Sequence, residues 1–185
     1  MQYHLTTPVT REDLAPLKAG DTVLLSGVVY TARDAAHKRL MELLDAGKPR
    51  PSPWEGAAIY YVGPTPERPG QVIGSAGPTT SGRMDAYSPR LLDLGQSIMI
   101  GKGARNQAVK DAVVRSGAVY LAALGGAGAL MAASVESLEV ICWEDLGCEA
   151  VRRLEVKDFP LTVILDAHGG DLYQAGPEAY LAAQK

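Results

Sequence analysis

The chain predicts an α/β fold built on a mixed sheet, and three observations carry that expectation. Stretches rich in β-branched and apolar residues recur from end to end. Two segments between them, "RDAAHKRLMELLDAG" and "ARNQAVKDAVVRSG", repeat apolar residues at helical spacing. Strands alternate with helices only in the middle of the chain and cluster towards both ends, which argues against a regular doubly wound sheet.

Taken in order, an opening segment ends in "TREDLAPLKAGD", and "TVLLSGVVYTA" follows as a core strand. The first helix puts Ala36, Leu40, Leu43 and Leu44 on one face, with Gly47 as its stop. Pro49, Pro51 and Pro53 make an extended connection to the strand "AAIYYVG". The loop "PTPERPG" leads to "QVIGSAG", read as a short strand, and then to "GPTTSGRMD". "MDAYSPRLLDLG" reads as a helix that starts afresh near Pro89, and "SIMIGKG" as a strand. The second long helix sets Ala108, Ala112 and Val113 in its apolar stripe and ends at Gly117. "AVYLAAL", "SLEVICW", "VRRLEVKDF" and "LTVILDA" supply four more strands, and "PEAYLAAQK" a terminal helix opening on proline.

With 185 residues the length favours one domain over the span 1–185. The 18 Lys+Arg against 21 Asp+Glu give a net charge of -3 with no basic block, so the footprint of nucleic acid binding is missing. A local cluster of cations can still oppose that sign and receive a small anion. "MQYHLTTPVTRED" has no apolar run behind a basic start, so the expected location is cytoplasmic. The uncharged stretch "AVYLAALGGAGALMAASV" is broken by Gly125, Gly126 and Gly128, and reads as strand, turn and buried helix rather than as a membrane span. Cys142 and Cys148 have neither zinc-knuckle nor redox spacing; they read as structural, and two cysteines cannot complete a four-cysteine metal site.

Three segments share one arrangement, a strand followed by small residues and a basic side chain near a helix start. They are "YTARDAAHKR" with Arg33, "GPTTSGRMD" with Arg83, and "GKGARNQ" with Lys102 and Arg105. Loops of this kind gather on one edge of an open sheet, so the cations could share a crevice. Each also has a plainer reading. Arg33 could pair with Asp34 on the surface, and Thr79, Thr80 or Ser81 could be an N-cap hydroxyl worth about 1 kcal/mol. A Walker lysine is rejected for Lys102, because the glycine spacing is wrong and a Gly stands where Ser or Thr must hold magnesium. His37 and His168 have no partner at metal-ligand spacing, and His37 reads as hydrogen-bonded and structural rather than as a general base.

In combination, "SGVVYTARDAAHKR", "GPTTSGRMD", "IGKG" and "YLAALGGAGALMA" resemble, in order and interval, the β subunit or C-terminal domain of the iron–sulfur hydro-lyases. That family comprises class I fumarate hydratase and L-tartrate dehydratase, and the resemblance runs from about residue 3 to the terminal helix. It implies a swivelling β/β/α domain and reversible hydration of fumarate to (S)-malate. It also implies a 4Fe–4S cluster held by three cysteines of an α subunit, so that this chain, contributing no metal ligand, needs an α partner. The implied assembly is an α2β2 hetero-oligomer, or a homodimer when the chain is isolated. The matching positions assign Arg33, Arg83 and Lys102 to substrate carboxylates, Thr79 to the base, and Thr80 to substrate orientation. Gly77, with Pro78 and Gly82, would let the loop approach the ligand. Fumarate is the first reading and L-tartrate the second; a non-catalytic swivelling module is the alternative of another class.

Overall fold

The computed structural model describes residues 1–184. Seven strands form one mixed sheet: β1 (Gln2–Thr6), β2 (Thr22–Thr31), β3 (Ala58–Tyr60), β4 (Ile98–Gly101), β5 (Val119–Ala122), β6 (Val135–Cys142) and β7 (Val151–Leu165). Their order is β1-β2-β3-β4-β5-β7-β6, and β7 also pairs with β2, so β2, β3, β4, β5 and β7 close into a five-stranded barrel. The pairs β2–β3, β3–β4 and β4–β5 are parallel, whereas β7 runs antiparallel to both β2 and β5. β1 lies parallel on β2, and β6 antiparallel on β7.

The helices are α1 (Arg11–Leu14), α2 (Asp34–Asp45), α3 (Ser88–Asp93), α4 (Gln107–Ser116), α5 (Gly128–Ala133) and α6 (Leu172–Ala183), with 3-10 turns at Ser81–Met84 and Glu144–Glu149. Alternation along the strands feeds two separate cores, as the two-residue period requires. Val29, Ala58, Tyr60, Ile98, Ile100, Leu121 and Val163 meet in one of them. Their neighbours Ile59, Tyr61, Met99 and Tyr120 face the other way and pack with Leu40 of α2, Leu91 of α3 and Val113 of α4. Helices therefore cover the outer face of β3, β4 and β5.

Five local expectations are corrected. "QVIGSAG" forms no strand; its backbone bonds instead to Thr65 and Gly128, through Thr65 N–H to Ser75 O and Ala76 N–H to Gly128 O. "VRRLEVKDF" and "LTVILDA" are one continuous strand, β7. Pro160 falls between Val156, where β6 stops pairing, and Thr162, where β5 begins, so one side of the strand has no neighbour to be denied a hydrogen bond there. The α4 stripe contains Val109 rather than the exposed Ala108. α5 buries only Gly128 and Met131 and is not a buried helix. α6 starts at Leu172, capped by Asp171, and carries Pro177 inside it. No helix of the described residues is long and apolar enough to cross a membrane.

Candidate active site

Because β2, β3, β4 and β5 are parallel, their carboxyl ends open onto one edge of the barrel. Arg33 stands two residues beyond β2, as the N-cap of α2 with extended backbone and no side-chain cap. The backbone of Thr79 is fixed beside the end of β3 by its N–H, which donates to Tyr61 O at 2.7 Å. Thr80 pairs with Lys102 in an isolated parallel bridge, directly after β4. The Lys102 stem passes over Gly125, behind β5; a Cβ at Gly125 would sit 3.6 Å from Lys102 Cδ and 3.9 Å from Nζ. Arg33, Thr79, Thr80, Arg83 and Lys102 thus share the edge, with Gly77 half-buried beside them against the backbone of Gly128.

Ser81 locks this arrangement. Its buried hydroxyl accepts from Lys102 N–H at 3.0 Å and lies 2.9 Å from Tyr120 Oη, which also lies 2.9 Å from Gly103 O. The Tyr120 hydroxyl is the donor to both, so Ser81 Oγ accepts from Lys102 N–H and from Tyr120 O–H, which it shares with the Gly103 carbonyl. Burial pushes the Tyr120 phenol well above its usual range, so it stays a neutral donor. A Cβ on Gly101 would collide with Ser81 Oγ, so the close approach of the two loops requires glycine there.

The capping reading of this stretch is overturned. Thr80 occupies the N-cap of the 3-10 turn without a side-chain cap bond, and Ser81 spends its oxygen on Lys102. Among the described residues, neither the Thr79 nor the Thr80 hydroxyl is engaged in an intramolecular hydrogen bond, and both residues remain at least partly exposed.

Asp34 lies between the two arginines and bonds one of them. Arg83 Nε donates to Asp34 Oδ1 at 2.8 Å, leaving both its terminal nitrogens without a partner among the described residues. Arg33 is 19% exposed, with Nη2 3.4 Å from Glu149 Oε1 and Nε 3.9 Å from Asp34 Oδ2. Arg33 Nε and Asp34 Oδ2 are buried without hydrogen bonds. Gly63 leaves room for this guanidinium: a Cβ there would lie 2.7 Å from Arg33 Nη1. Three cations and two carboxylates leave the edge one positive charge in excess, suited to an anion.

Arg105 does not join them. Its side chain is fully buried, with Nε 2.6 Å from Asp85 Oδ1, Nη2 2.7 Å from Ser88 Oγ, and its plane over Tyr61 and Tyr120. His37 is buried in α2; its Nδ1 donates to Arg33 O at 2.8 Å, and it packs on Tyr61 and Tyr87. Burial lowers its pKa to about 4, so it is neutral and supports the Arg33 backbone. His168 binds Ala15 O at 2.7 Å, far along the chain from the site. Sequence reasoning took Asp34 only as a pairing partner of Arg33 and missed Glu149 and the Ser81–Tyr120 chain, since contacts between distant segments leave no local signal.

A groove of about 410 Å³ lies behind Gly63, lined by Pro64, Pro66, Ile73, Leu138, Cys148 and Arg152 among others; none of the three cations of the edge lines it. As for a metal cluster, burial raises the Cys142 thiol and disfavours the thiolate a metal needs, while Cys148 is exposed. No group of three or more His, Cys, Asp or Glu side chains that could hold a metal ion occurs among the described residues. The residues present do not fit an iron–sulfur cluster.

Residues 1–176 match the family model described as Fumarase C-terminus. The chain is 43% identical over 152 residues to the anaerobic class I fumarate hydratase of Escherichia coli K12, covering 81% of this chain and 28% of that protein. It is 39% identical over 165 residues to fumarate hydratase 2 of Leishmania major, covering 88% and 29%. A putative L(+)-tartrate dehydratase subunit beta of Methanocaldococcus jannaschii is 38% identical over 172 residues, covering 90% of this chain and 88% of that subunit. The chain therefore spans under a third of the length of these fumarate hydratases but nearly all of the subunit. With the "GPTTSGRMD" loop on the open edge and the family model matched almost throughout, the chain belongs to the Fumarase C-terminus family.

Proposed function

We propose that the chain is the β subunit of a two-subunit class I fumarate hydratase, a cytoplasmic hydro-lyase that interconverts fumarate and (S)-malate. One observation carries the reading: two unengaged threonine hydroxyls stand on an edge shared by Arg33, Arg83 and Lys102. A dicarboxylate brings two negative charges into a partly dry cleft and needs at least two cationic partners. Arg83 offers its two terminal nitrogens as a fork, Arg33 a half-buried guanidinium, and Lys102 an ammonium over Gly125.

Removing the proton next to a carboxylate builds charge on that carboxylate, so these contacts strengthen as the reaction proceeds. Thr79 Oγ takes that proton, and Thr80 and the backbone of Gly77 orient the substrate. A hydroxyl is a poor base unless another group receives its own proton. No histidine or carboxylate of the described residues bonds the Thr79 hydroxyl, so the receiving group is assigned to the α subunit, as is the iron–sulfur cluster. The chain acts as one swivelling domain that brings its edge to the partner, in an α2β2 assembly.

A second reading, the β subunit of L(+)-tartrate dehydratase, is favoured by the near-full-length match to such a subunit. Assaying the assembled αβ complex with fumarate, (S)-malate and L-tartrate decides between them. Turnover of fumarate and malate is expected. Turnover of tartrate alone selects the second reading, and turnover of none of the three contradicts both.

A further inference from the structure

We propose that Glu149 is the positioning residue that sets Arg33 for its carboxylate contact; this rests on the dicarboxylate reading above. Glu149 closes the 3-10 turn Glu144–Glu149, far from Arg33 in sequence, yet its carboxylate serves two groups at once. Oε2 accepts from Ala35 N–H at 2.9 Å, and Oε1 lies 3.4 Å from Arg33 Nη2. The first is one of the free donors at the start of α2, a helix whose N-cap residue, Arg33, supplies no capping side chain. Glu149 therefore substitutes for the missing cap and holds the cap residue's own guanidinium with the same group.

His37 holds the Arg33 carbonyl, but the Arg33 side chain has few other restraints. Gly63 bounds one side of the guanidinium, Asp34 Oδ2 stands 3.9 Å from Nε, and Nε has no hydrogen bond. Among the described residues, Glu149 alone meets both the first turn of α2, at Ala35 N–H, and the end of the Arg33 side chain, as an ion pair. The pair is shielded, with Arg33 19% and Glu149 20% exposed, so their attraction is less screened than that of a surface pair. The turn is bolted to α2 at a second point, where Arg39 meets Asp145 in two bonds of 2.8 Å each. That contact docks the turn without touching Arg33, and it supplies a control.

The test uses the assembled complex and steady-state hydration of fumarate. Glu149→Gln keeps an acceptor for Ala35 N–H but removes the charge facing Arg33. It is expected to lower kcat/KM about tenfold, mainly through KM, with the melting temperature unchanged. Added to Arg33→Lys it should cause no further loss, because both changes act through one group. Asp145→Asn should leave KM as it is. Glu149→Asp, which keeps the charge, should retain more activity than Glu149→Gln, and this ordering holds the test open if Glu149→Gln disturbs folding. Wild-type kinetics in Glu149→Gln beside an impaired Arg33→Lys, losses that multiply in the double variant, an equal loss in Asp145→Asn, or Glu149→Asp falling below Glu149→Gln would each overturn the proposal. An unchanged KM in Arg33→Lys would instead overturn the dicarboxylate reading itself.

Discussion

Arg83 shows at the scale of one residue how a side chain is both anchored and left available. Its Nε is held by Asp34 at 2.8 Å, which orients the fork, and the terminal nitrogens remain for a ligand. An ammonium cannot reproduce a planar bidentate contact, so Arg83→Lys is expected to raise KM for fumarate about tenfold or more at unchanged melting temperature. Steady-state kinetics on the assembled complex checks it, and an unchanged KM would make Arg83 structural. His37 gives a second prediction at this scale. Its Nδ1 already donates to Arg33 O, and a proton on the buried Nε2 would have no acceptor. The folded pKa of about 4 lies below the unfolded value near 6.5, so the fold resists a proton that the unfolded chain accepts. Stability is therefore full above about pH 6.5 and is lost as pH falls towards 4, by roughly 3 kcal/mol from this residue. In His37→Asn, which keeps a donor for Arg33 O, denaturant unfolding should show a correspondingly flatter dependence across that window. The gathering of Arg33, Arg83 and Lys102 on one edge was legible, because each follows a strand in a loop of small residues; the roles proposed for the threonine pair rest on the family resemblance and not on local pattern. The exclusion of Arg105 was not legible, since its partners Asp85, Ser88, Tyr61 and Tyr120 come from three other segments.

At the scale of elements, the site depends on how three loops are tied together. Ser81→Ala leaves Lys102 N–H without its side-chain acceptor and takes one of two acceptors from Tyr120 O–H, a buried polar loss of about 1–3 kcal/mol. Denaturant unfolding of the variant measures it; a change below about 0.5 kcal/mol would mean that the loops are held by other contacts. Elements with a strong local signal were legible: β2 and β4 stand where apolar, β-branched runs put them, and α2 and α4 where helical spacing does. Those set by partners were not. β1 exists because the start of β2 lacks another neighbour on that side, and "QVIGSAG" fails as a strand because its backbone is claimed by Thr65 and Gly128. β7 runs unbroken through Pro160 because of where β5 and β6 lie across it. Periodicity reports what a segment prefers, whereas pairing decides what it does.

For the whole molecule, closure of five strands puts four parallel strand ends on one rim, and there the chain's chemistry collects. The alternation of strands and helices foretold a mixed sheet; barrel closure was not legible, because it depends on the pairing of β7 with β2 across most of the chain. The rim binds and deprotonates in the proposed reaction, and everything else the reaction needs is assigned to the partner. Fumarate turnover by the assembled αβ complex carrying Thr79→Ala tests that division most directly. Loss of a general base should lower kcat by about a hundredfold to ten-thousandfold while assembly and cluster content stay at wild-type levels. A kcat within about twofold of wild type, in a complex assembled to the same extent, would contradict the assignment of the base to this chain.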